Sequence, residues 1–126
     1  MTPAIDLLMK QKLPHQVLKF QHEPGHGSFA LEAAEKLHLS PAQVFKTLVV
    51  ETDDGRLAVG IVPADKMLNL KRLAKALRCK KATMAPPQKV ERSTGYIMGG
   101  VSPFGQKKPL PTVLDSSANA FDTILV

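Results

Sequence analysis

The fold is decided by the stretch TLVVETDDGRLAVGIV, which occupies residues 47–62. Two apolar runs rich in β-branched residues, at 47–50 and 57–62, lie on either side of Asp53-Asp54-Gly55, a combination typical of tight turns. Two strand-forming runs separated by such a turn predict a β-hairpin. This is the strongest hairpin signal in the chain, and the other elements are interpreted around it.

The segment before the hairpin predicts a helix, a strand, a second helix and a short helical turn. Each helix start carries a side chain that can accept a hydrogen bond from the first free backbone N–H groups, and proline stands at first helical positions, where its missing N–H costs nothing. The predicted elements are a helix from Pro3 to near Lys12 behind Thr2, a strand at 16–21, a helix at 29–37 behind Ser28, and one or two helical turns after Ser40.

The segment after the hairpin mixes helices with short strands. Apolar residues at helical spacing behind Asn69 predict an amphipathic helix at 70–78. A strand at 81–84 follows, then a short helix from Pro86-Pro87 to Gly95, then strands near 111–115 and 122–126. Because this order is not a regular alternation of strands and helices, we predict an α+β fold with a mixed sheet rather than a doubly wound parallel one.

Composition indicates one globular domain, residues 1–126, with a polyanionic partner. The chain has 44% hydrophobic and 22% charged residues, a single cysteine, and no secretory signal or transmembrane run, so the cytoplasm is the expected compartment. Its net charge of +6 favours nucleic acid over a membrane surface. The basic residues concentrate in one segment and after a glycine-rich loop: Lys66, Lys71, Arg72, Lys75, Arg78, Lys80, Lys81, Lys107 and Lys108. A merely solvated helix face is the alternative.

The residues around several possible metal-binding and catalytic motifs argue against those functions. His22-Glu23-Pro24-Gly25-His26 has the letters H-E-x-x-H, but proline and glycine oppose the helix that zinc binding would need, so we interpret it as a polar loop and predict no metal. The serines lack the G-x-S-x-G setting of a hydrolase nucleophile, and no phosphate-binding G-x-x-x-x-G-K-[ST] is present. Cys79 has no evident histidine partner and is interpreted as an incidental thiol.

Lys46 and a glycine-rich loop remain as candidate functional groups. Lys46 stands where the turn after Ser40 enters an apolar strand, so it is expected to be drawn inward, where an ammonium needs acceptors. A lysine reaching out to solvent is the alternative. The loop from Gly95 to Gly105 contains four glycines, which let backbone N–H groups approach a carbonyl or phosphate oxygen closely.

Four stretches together resemble the YbaK/EbsC family, the stand-alone relatives of the editing domain inserted in bacterial prolyl-tRNA synthetases. They are Thr2-Pro3-Ala4, FKTLVV at 45–50, Asn69-Leu70-Lys71, and above all STGYIMGGVSPFGQKK at 93–108. The four stretches occur in the family's order and extend over essentially the whole chain. Within the family, the sequence is similar to the branch that deacylates Cys-tRNA(Pro).

The resemblance implies a mixed sheet, partly closed into a barrel and flanked by helices, and a deacylase without a cofactor. In that branch the thiol of the substrate attacks its own ester carbonyl, so the enzyme supplies no nucleophile. The implied partners are aminoacyl-tRNA(Pro) and prolyl-tRNA synthetase. The implied and candidate site residues are Lys46 and Gly99 as catalytic groups; Phe20, Phe29, Thr47, Gly100 and Ser102 against the substrate; and Lys71, Arg72, Lys75, Lys107 and Lys108 against the tRNA.

The chain departs from the family pattern at three places. Phe20 replaces the usual tyrosine of the pocket wall, which removes a hydroxyl, and Ala30-Leu31 replace a frequent Gly-Asp pair. The sequence stops at Val126, before the family's S-G-G-K-R-G segment and final strand and helix, so the serine and aspartate of that part are expected to be missing. A non-catalytic tRNA-binding or adapter domain is therefore the alternative function.

Overall fold

The predicted hairpin forms the centre of the fold. In the computed structural model, which describes residues 2–25 and 27–126, strand β1 (Phe45–Thr52) pairs antiparallel with β2 (Leu57–Pro63). Val49 lies opposite Val59, and the turn between the strands is closed by Gly55, whose positive φ of 82° is easily adopted only by glycine. The hairpin prediction is therefore confirmed.

Two short strands complete a mixed sheet of order β3-β1-β2-β4. Strand β3 (Ala82–Met84) runs antiparallel to β1, whereas β4 (Thr112–Leu114) runs parallel to β2. The predicted α+β class is confirmed. Within the described residues the four strands form an open sheet with β3 and β4 at its edges, followed by a 3₁₀ helix at Ser116–Ala120.

Four helices flank the sheet in the described residues, and their starts follow the predicted caps. They are α1 (Pro3–Lys10), α2 (Phe29–Lys36), α3 (Leu70–Ala76) and α4 (Pro87–Thr94). The side chains of Thr2, Ser28 and Asn69 each accept a hydrogen bond from the backbone N–H three residues on, at 3.2, 3.3 and 3.0 Å. None of the four helices is long and apolar enough to cross a membrane in the part of the chain that the structure describes.

The two faces of the hairpin carry different layers. Side chains alternate along a strand, so Phe45 and Val49 face one side and pack with Val90 of α4. Val50 faces the other side and packs with Leu73 of α3. At the start of β1 a third cluster joins the alanines of α2 to Val44 and Ala64. Helix α2 therefore packs at the beginning of β1, and α3 packs nearer its end.

Two predicted strands are wrong. Residues 16–21 form no strand: Val17 and Leu18 are more than 40% exposed, and the segment is bonded to α2 rather than to a strand edge. At 122–126 only an isolated parallel bridge from Leu125 to Val44 forms, because the chain before Val44 turns away at residues 41–43. That turn, with Ser40 Oγ accepting from the Ala42 N–H at 3.2 Å, replaces the predicted helical turns.

Candidate functional site

Lys46 occupies the second position of β1 and is half-buried. Its ammonium donates one long hydrogen bond, of 3.4 Å, to the backbone carbonyl of Ala64. Among the described residues no carboxylate lies within ion-pair distance of it. A lysine ammonium has three N–H groups, so most of its donor capacity is left for another acceptor.

The outer edge of β1 is open beside Lys46. On that edge the Phe45 N–H donates to the carbonyl of Leu125 at 2.8 Å, and the carbonyl of Val49 accepts from the Ala85 N–H at 3.0 Å. Thr47, which lies between them and is only 9% exposed, has no strand partner on this edge within the described chain. Its backbone N–H and carbonyl therefore offer a donor and an acceptor to a bound group.

Phe20 and Phe29, which the resemblance assigns to the walls of the pocket, lie close together. Their ring centroids are 5.1 Å apart at an interplanar angle of 55°. Phe20 packs against the cluster that contains Ala64, whose carbonyl contacts Lys46, while Phe29 is 44% exposed. Phe29 therefore presents an exposed ring on which an adenosine base or an acyl group can pack.

The glycine-rich loop is held in shape by Tyr96. The Tyr96 hydroxyl donates to the carbonyl of Phe104 at 2.8 Å and also contacts the Ser102 side chain and the Ala4 backbone. Burial raises the pKa of this hydroxyl, and the contacts with Ser102 and Ala4 act in the opposite direction. Ser102 Oγ in turn accepts from the Phe104 N–H at 3.1 Å, so this predicted substrate residue also braces the loop.

Gly99 and Gly100 form the exposed tip of that loop. Gly99 has a φ of 94°, and a Cβ placed there would meet nothing within 4 Å, so the backbone is open to an incoming group. The Gly100 N–H donates to the carbonyl of Ile97 at 2.9 Å, whereas the Gly99 N–H has no partner in the described part of the chain.

The candidate groups approach β1 from two sides. Alternation places Lys46 and Thr47 on opposite faces, with Phe20 on the side of Lys46. Val101, two residues after Gly99, packs with Phe45 on the side of Thr47. The open edge at Thr47 lies between these two sides. A separate groove between α1 and the loop, lined by Leu7, Pro103, Gly105, Gln106, Pro109, Leu110 and Thr112, does not include Lys46.

The predicted tRNA-binding residues are all exposed but fall into two groups. Lys71, Arg72 and Lys75 lie on α3, where Asp115 attracts Arg72. Lys107 and Lys108 are fixed to the end of α4 by backbone bonds to the carbonyls of Thr94 and Ser93, at 3.0 and 3.1 Å. The basic face of α3 is thus an accessible surface beside the sheet.

A buried carboxylate next to the aromatic pair is a feature that the residue pattern did not indicate. Glu32, in the first turn of α2, is completely buried. One carboxylate oxygen lies 2.5 Å from His22 Nδ1; the other accepts from the Glu23 N–H at 2.8 Å and lies 3.1 Å from Lys36 Nζ. Lys36 also donates to the carbonyl of Gln21, so the network ties residues 21–23 to α2.

This network keeps Glu32 ionised. Burial alone would raise the pKa of the carboxyl, but the hydrogen bonds from the Glu23 N–H, His22 and Lys36 outweigh it and lower the pKa to about 2. For Lys36, burial acts to lower the pKa, and its bonds to Glu32 and Glu23 outweigh that effect and raise it. His26, the last letter of the H-E-x-x-H match, lies outside the described residues.

Comparison with known proteins places the chain in a family. The profile of the aminoacyl-tRNA editing domain matches residues 23–126. An Enterococcus faecalis protein named "Putative Cys-tRNA(Pro)/Cys-tRNA(Cys) deacylase EbsC" is 37% identical over 125 residues, which are 99% of this chain and 76% of that protein. A proline–tRNA ligase of Moorella thermoacetica is 35% identical over 88 residues, 70% of this chain and 15% of the ligase.

The similarity to a solved structure supports the same family assignment. The crystal structure described as "a putative trans-editing enzyme for prolyl tRNA synthetase" superposes with a TM-score of 0.77 and 27% identity, over 94% of this chain and 73% of that one. The resemblance drawn from the four sequence stretches is confirmed. The chain therefore belongs to the aminoacyl-tRNA editing domain family and is by class an aminoacyl-tRNA deacylase.

Proposed function

We propose that the chain removes wrongly attached cysteine from tRNA(Pro) in trans, as a proofreading step of translation in the cytoplasm. The observation that carries this proposal is the Lys46 ammonium, which makes one long hydrogen bond and no ion pair in the described structure, next to the open strand edge at Thr47. Phe29 adds an exposed aromatic ring. Together they offer a positive charge, a stacking surface and backbone hydrogen-bonding groups, which are what the terminal adenosine and its acyl ester require. The named activity of the Enterococcus relative supports the choice of substrate.

We assign complementary roles to Lys46 and Gly99. When the ester carbonyl is attacked, negative charge develops on its oxygen, and the free N–H of Gly99 can stabilise that charge. Lys46 holds the 3′-terminal ribose or phosphate and adds positive potential close to the reacting carbonyl. Phe20, Thr47, Gly100 and Ser102 complete the pocket around the acyl group in this proposal.

The attacking group is the thiol of the substrate cysteine. The hydrogen bond of Lys46 in the described structure goes to a backbone carbonyl and not to a serine, cysteine or histidine, and in this proposal the chain supplies no nucleophile. The free cysteine, Cys79, donates to the carbonyl of Lys81 beyond α3, in a different cluster. A substrate that attacks itself needs only to be held in the reactive conformation.

Deacylation of a panel of aminoacyl-tRNAs tests the proposal. We expect Cys-tRNA(Pro) to lose its amino acid at least about tenfold faster with the protein than Ala-tRNA(Pro) or Pro-tRNA(Pro), because the latter two lack the thiol. The measurement is the fraction of radiolabelled amino acid remaining on each tRNA with time. Loss of all three amino acids at the same uncatalysed rate would contradict the proposal. Faster loss of alanine would show that water, and not a substrate thiol, attacks the ester.

We further propose that the chain acts beside prolyl-tRNA synthetase. The proline–tRNA ligase of Moorella thermoacetica contains a similar segment of 88 residues, so a segment of this kind is part of such an enzyme there. A separate chain would have to capture the mischarged tRNA after its release, and association with the synthetase would raise the effective concentration of that product.

A non-catalytic tRNA-binding domain is the second candidate, and the exposed basic face of α3 favours it. Changing both Lys71 and Lys75 to Gln leaves Arg72 and its attraction to Asp115 in place. Loss of two phosphate contacts should reduce the magnitude of the slope of log K against log salt concentration by about 1.4 to 1.8, as measured by tRNA binding at several salt concentrations.

The matched control is Lys10→Gln with Lys12→Gln, which removes the same charge at the exposed end of α1. An equal fall in slope for both pairs would mean that only net charge matters, and α3 would lose its assignment. Binding that depends on α3 without any deacylation would favour the second candidate over the first.

A further inference from the structure

The buried Glu32 carboxylate fixes the chemical state of His22. An ionised carboxylate only accepts hydrogen bonds, so the short contact from Glu32 to His22 Nδ1 requires that Nδ1 carries the proton. In the neutral ring, Nε2 is then left with its lone pair. The second Glu32 oxygen is occupied by the Glu23 N–H and Lys36, so the carboxylate cannot rotate away from His22.

The free nitrogen of His22 lies beside the candidate pocket. The His22 ring is 5.2 Å from the ring of Phe29, measured between centroids, and the His22 side chain is 52% exposed. Phe29 contacts Phe20, which packs on the cluster that contains Ala64. The imidazole therefore lies at the edge of the aromatic pair, and Phe20 of that pair packs on the cluster whose Ala64 carbonyl accepts a hydrogen bond from Lys46.

A buried carboxylate bonded to one ring nitrogen of a half-exposed histidine is the arrangement that prepares the other nitrogen for proton transfer. The carboxylate selects the tautomer and stabilises the imidazolium once it forms. The charged groups around His22 are Glu32 and Lys36 on α2 and Glu23 on its own segment, and Lys36 balances one of the two carboxylates. The protonated ring would therefore face a net negative environment.

From this we propose that His22 accepts the proton of the attacking group in the deacylation, an inference that rests on the proposed deacylase function. Nε2 takes the proton from the thiol of the cysteinyl ester, and the sulfur bonds to the ester carbon. The bond from that carbon to the ribose oxygen then breaks, and Nε2 returns the proton to this oxygen. The products are tRNA with a free hydroxyl and a cyclic thioester of cysteine, which water later opens.

Glu32 is a positioning residue in this proposal, and His22 is the catalytic one. Glu32 cannot reach the substrate itself because it is completely buried. Its contribution comes through the tautomer and orientation of His22, as carboxylate partners of catalytic histidines act elsewhere. The same bonds also hold the segment that carries Phe20, so a purely structural role for the network is the competing explanation.

Single-turnover deacylation of Cys-tRNA(Pro) over about pH 5.5 to 8.5, the range in which histidines titrate, tests the proposal. We expect His22→Gln to lower kcat by about 100-fold, the lower end of what general base catalysis contributes, with KM nearly unchanged. A general base produces a fall in rate toward acid pH, which we expect in the unmodified protein and not in this variant. His22→Ala should recover activity when imidazole is added, which a lost structural contact would not do.

The control is His15→Gln, which changes an exposed histidine of the same segment; its one hydrogen bond within the described residues is to the nearby carbonyl of Leu13. Its rate and pH profile should equal those of the unmodified protein. A nitrogen NMR spectrum of the uncharged ring reports the tautomer without any substrate: Nδ1–H is expected for His22, and its replacement by Nε2–H in Glu32→Gln would confirm the role of that carboxylate.

Three results would overturn the proposal. They are an unchanged rate and pH profile in His22→Gln, a raised KM with unchanged kcat, and an Nε2–H tautomer in the unmodified protein. If the unmodified protein does not deacylate any of the tested tRNAs, the proposed function itself fails, and that outcome differs from an active protein that ignores His22.

Discussion

Lys46→Ala is expected to lower kcat/KM for Cys-tRNA(Pro) by about 100- to 1,000-fold, the effect of removing one preorganised donor from a site of developing negative charge. The reason is that the Lys46 ammonium has only a 3.4 Å bond to the carbonyl of Ala64 and no carboxylate partner in the described structure, so its charge is available to the substrate. The measurement is single-turnover deacylation at several enzyme concentrations, which separates binding from the chemical step.

The competing role for Lys46 is support of the strand. The half-buried stem of Lys46 lies beside Val62 across the hairpin, so truncation could also loosen β1. Lys46→Met keeps most of the stem and removes the charge, and it should lose as much activity as Lys46→Ala while unfolding at the same temperature as the unmodified protein. Lys10→Ala, at the exposed end of α1, is the matched control and should remain active. Activity retained in Lys46→Met would show that the charge is not used.

The centre of the fold could be predicted because local signals and tertiary packing agree there. The hairpin has a turn that only a few residue types favour, and its two runs bury both faces, so propensity and burial point to the same structure. The helix starts are also local, since a cap needs one side chain and the three residues after it. Such features require no knowledge of distant parts of the chain.

Helix ends are harder to predict where glycine is absent. The residues that follow α1, α2 and α3 in the left-handed conformation are Lys12, His38 and Arg78, with φ of 55°, 57° and 58°. Each closes its helix with the pair of backbone bonds usually made around a glycine, as in the bond from the Leu13 N–H to the carbonyl of Leu8. Because no glycine marks these positions, the predicted helices extend one or two residues too far. Helix α4 ends at a glycine, Gly95, in the left-handed conformation, and the predicted end of this helix is confirmed.

The candidate site was only partly accessible from the sequence, for a physical reason. Lys46 could be singled out because a charged residue interrupts a pattern of apolar ones. Glu32 could not, because charged residues at a helix start are ordinary, and its burial depends on partners at 22, 23 and 36 that the fold brings together. The incorrect strand prediction at 16–21 also works against predicting the contacts of residues 21–23 with α2, because a strand would lie at a sheet edge.

Gly105→Ala is expected to release α1 from the protein. A Cβ at this position would lie 2.6 Å from the carbonyl oxygen and 2.7 Å from the carbonyl carbon of Pro3, which are backbone atoms that cannot rotate aside. The backbone of Gly105 also has a φ of 70°, which costs a residue with a side chain about 1–2 kcal/mol. Overpacking of a close contact adds about 1–3 kcal/mol. Since α1 buries no residue completely, its departure is the easiest relief.

Gly55→Ala is the control that separates the two effects of Gly105→Ala, the unfavourable positive φ and the steric contact with Pro3. Gly55 has a φ of 82° but nothing within 4 Å of a Cβ, so it should lose only the conformational part, about 1–2 kcal/mol of unfolding free energy, and keep α1 attached. Amide hydrogen exchange at residues 5–10 distinguishes the variants, with protection lost in Gly105→Ala alone. Release of α1 also removes the contact between Ala4 and the Tyr96 hydroxyl, so the loop that carries Gly99 should loosen and deacylation should slow. If α1 stays protected in Gly105→Ala, the close contact with Pro3 does not control the attachment of α1. If protection is lost while activity is unchanged, Tyr96 does not brace the loop for catalysis.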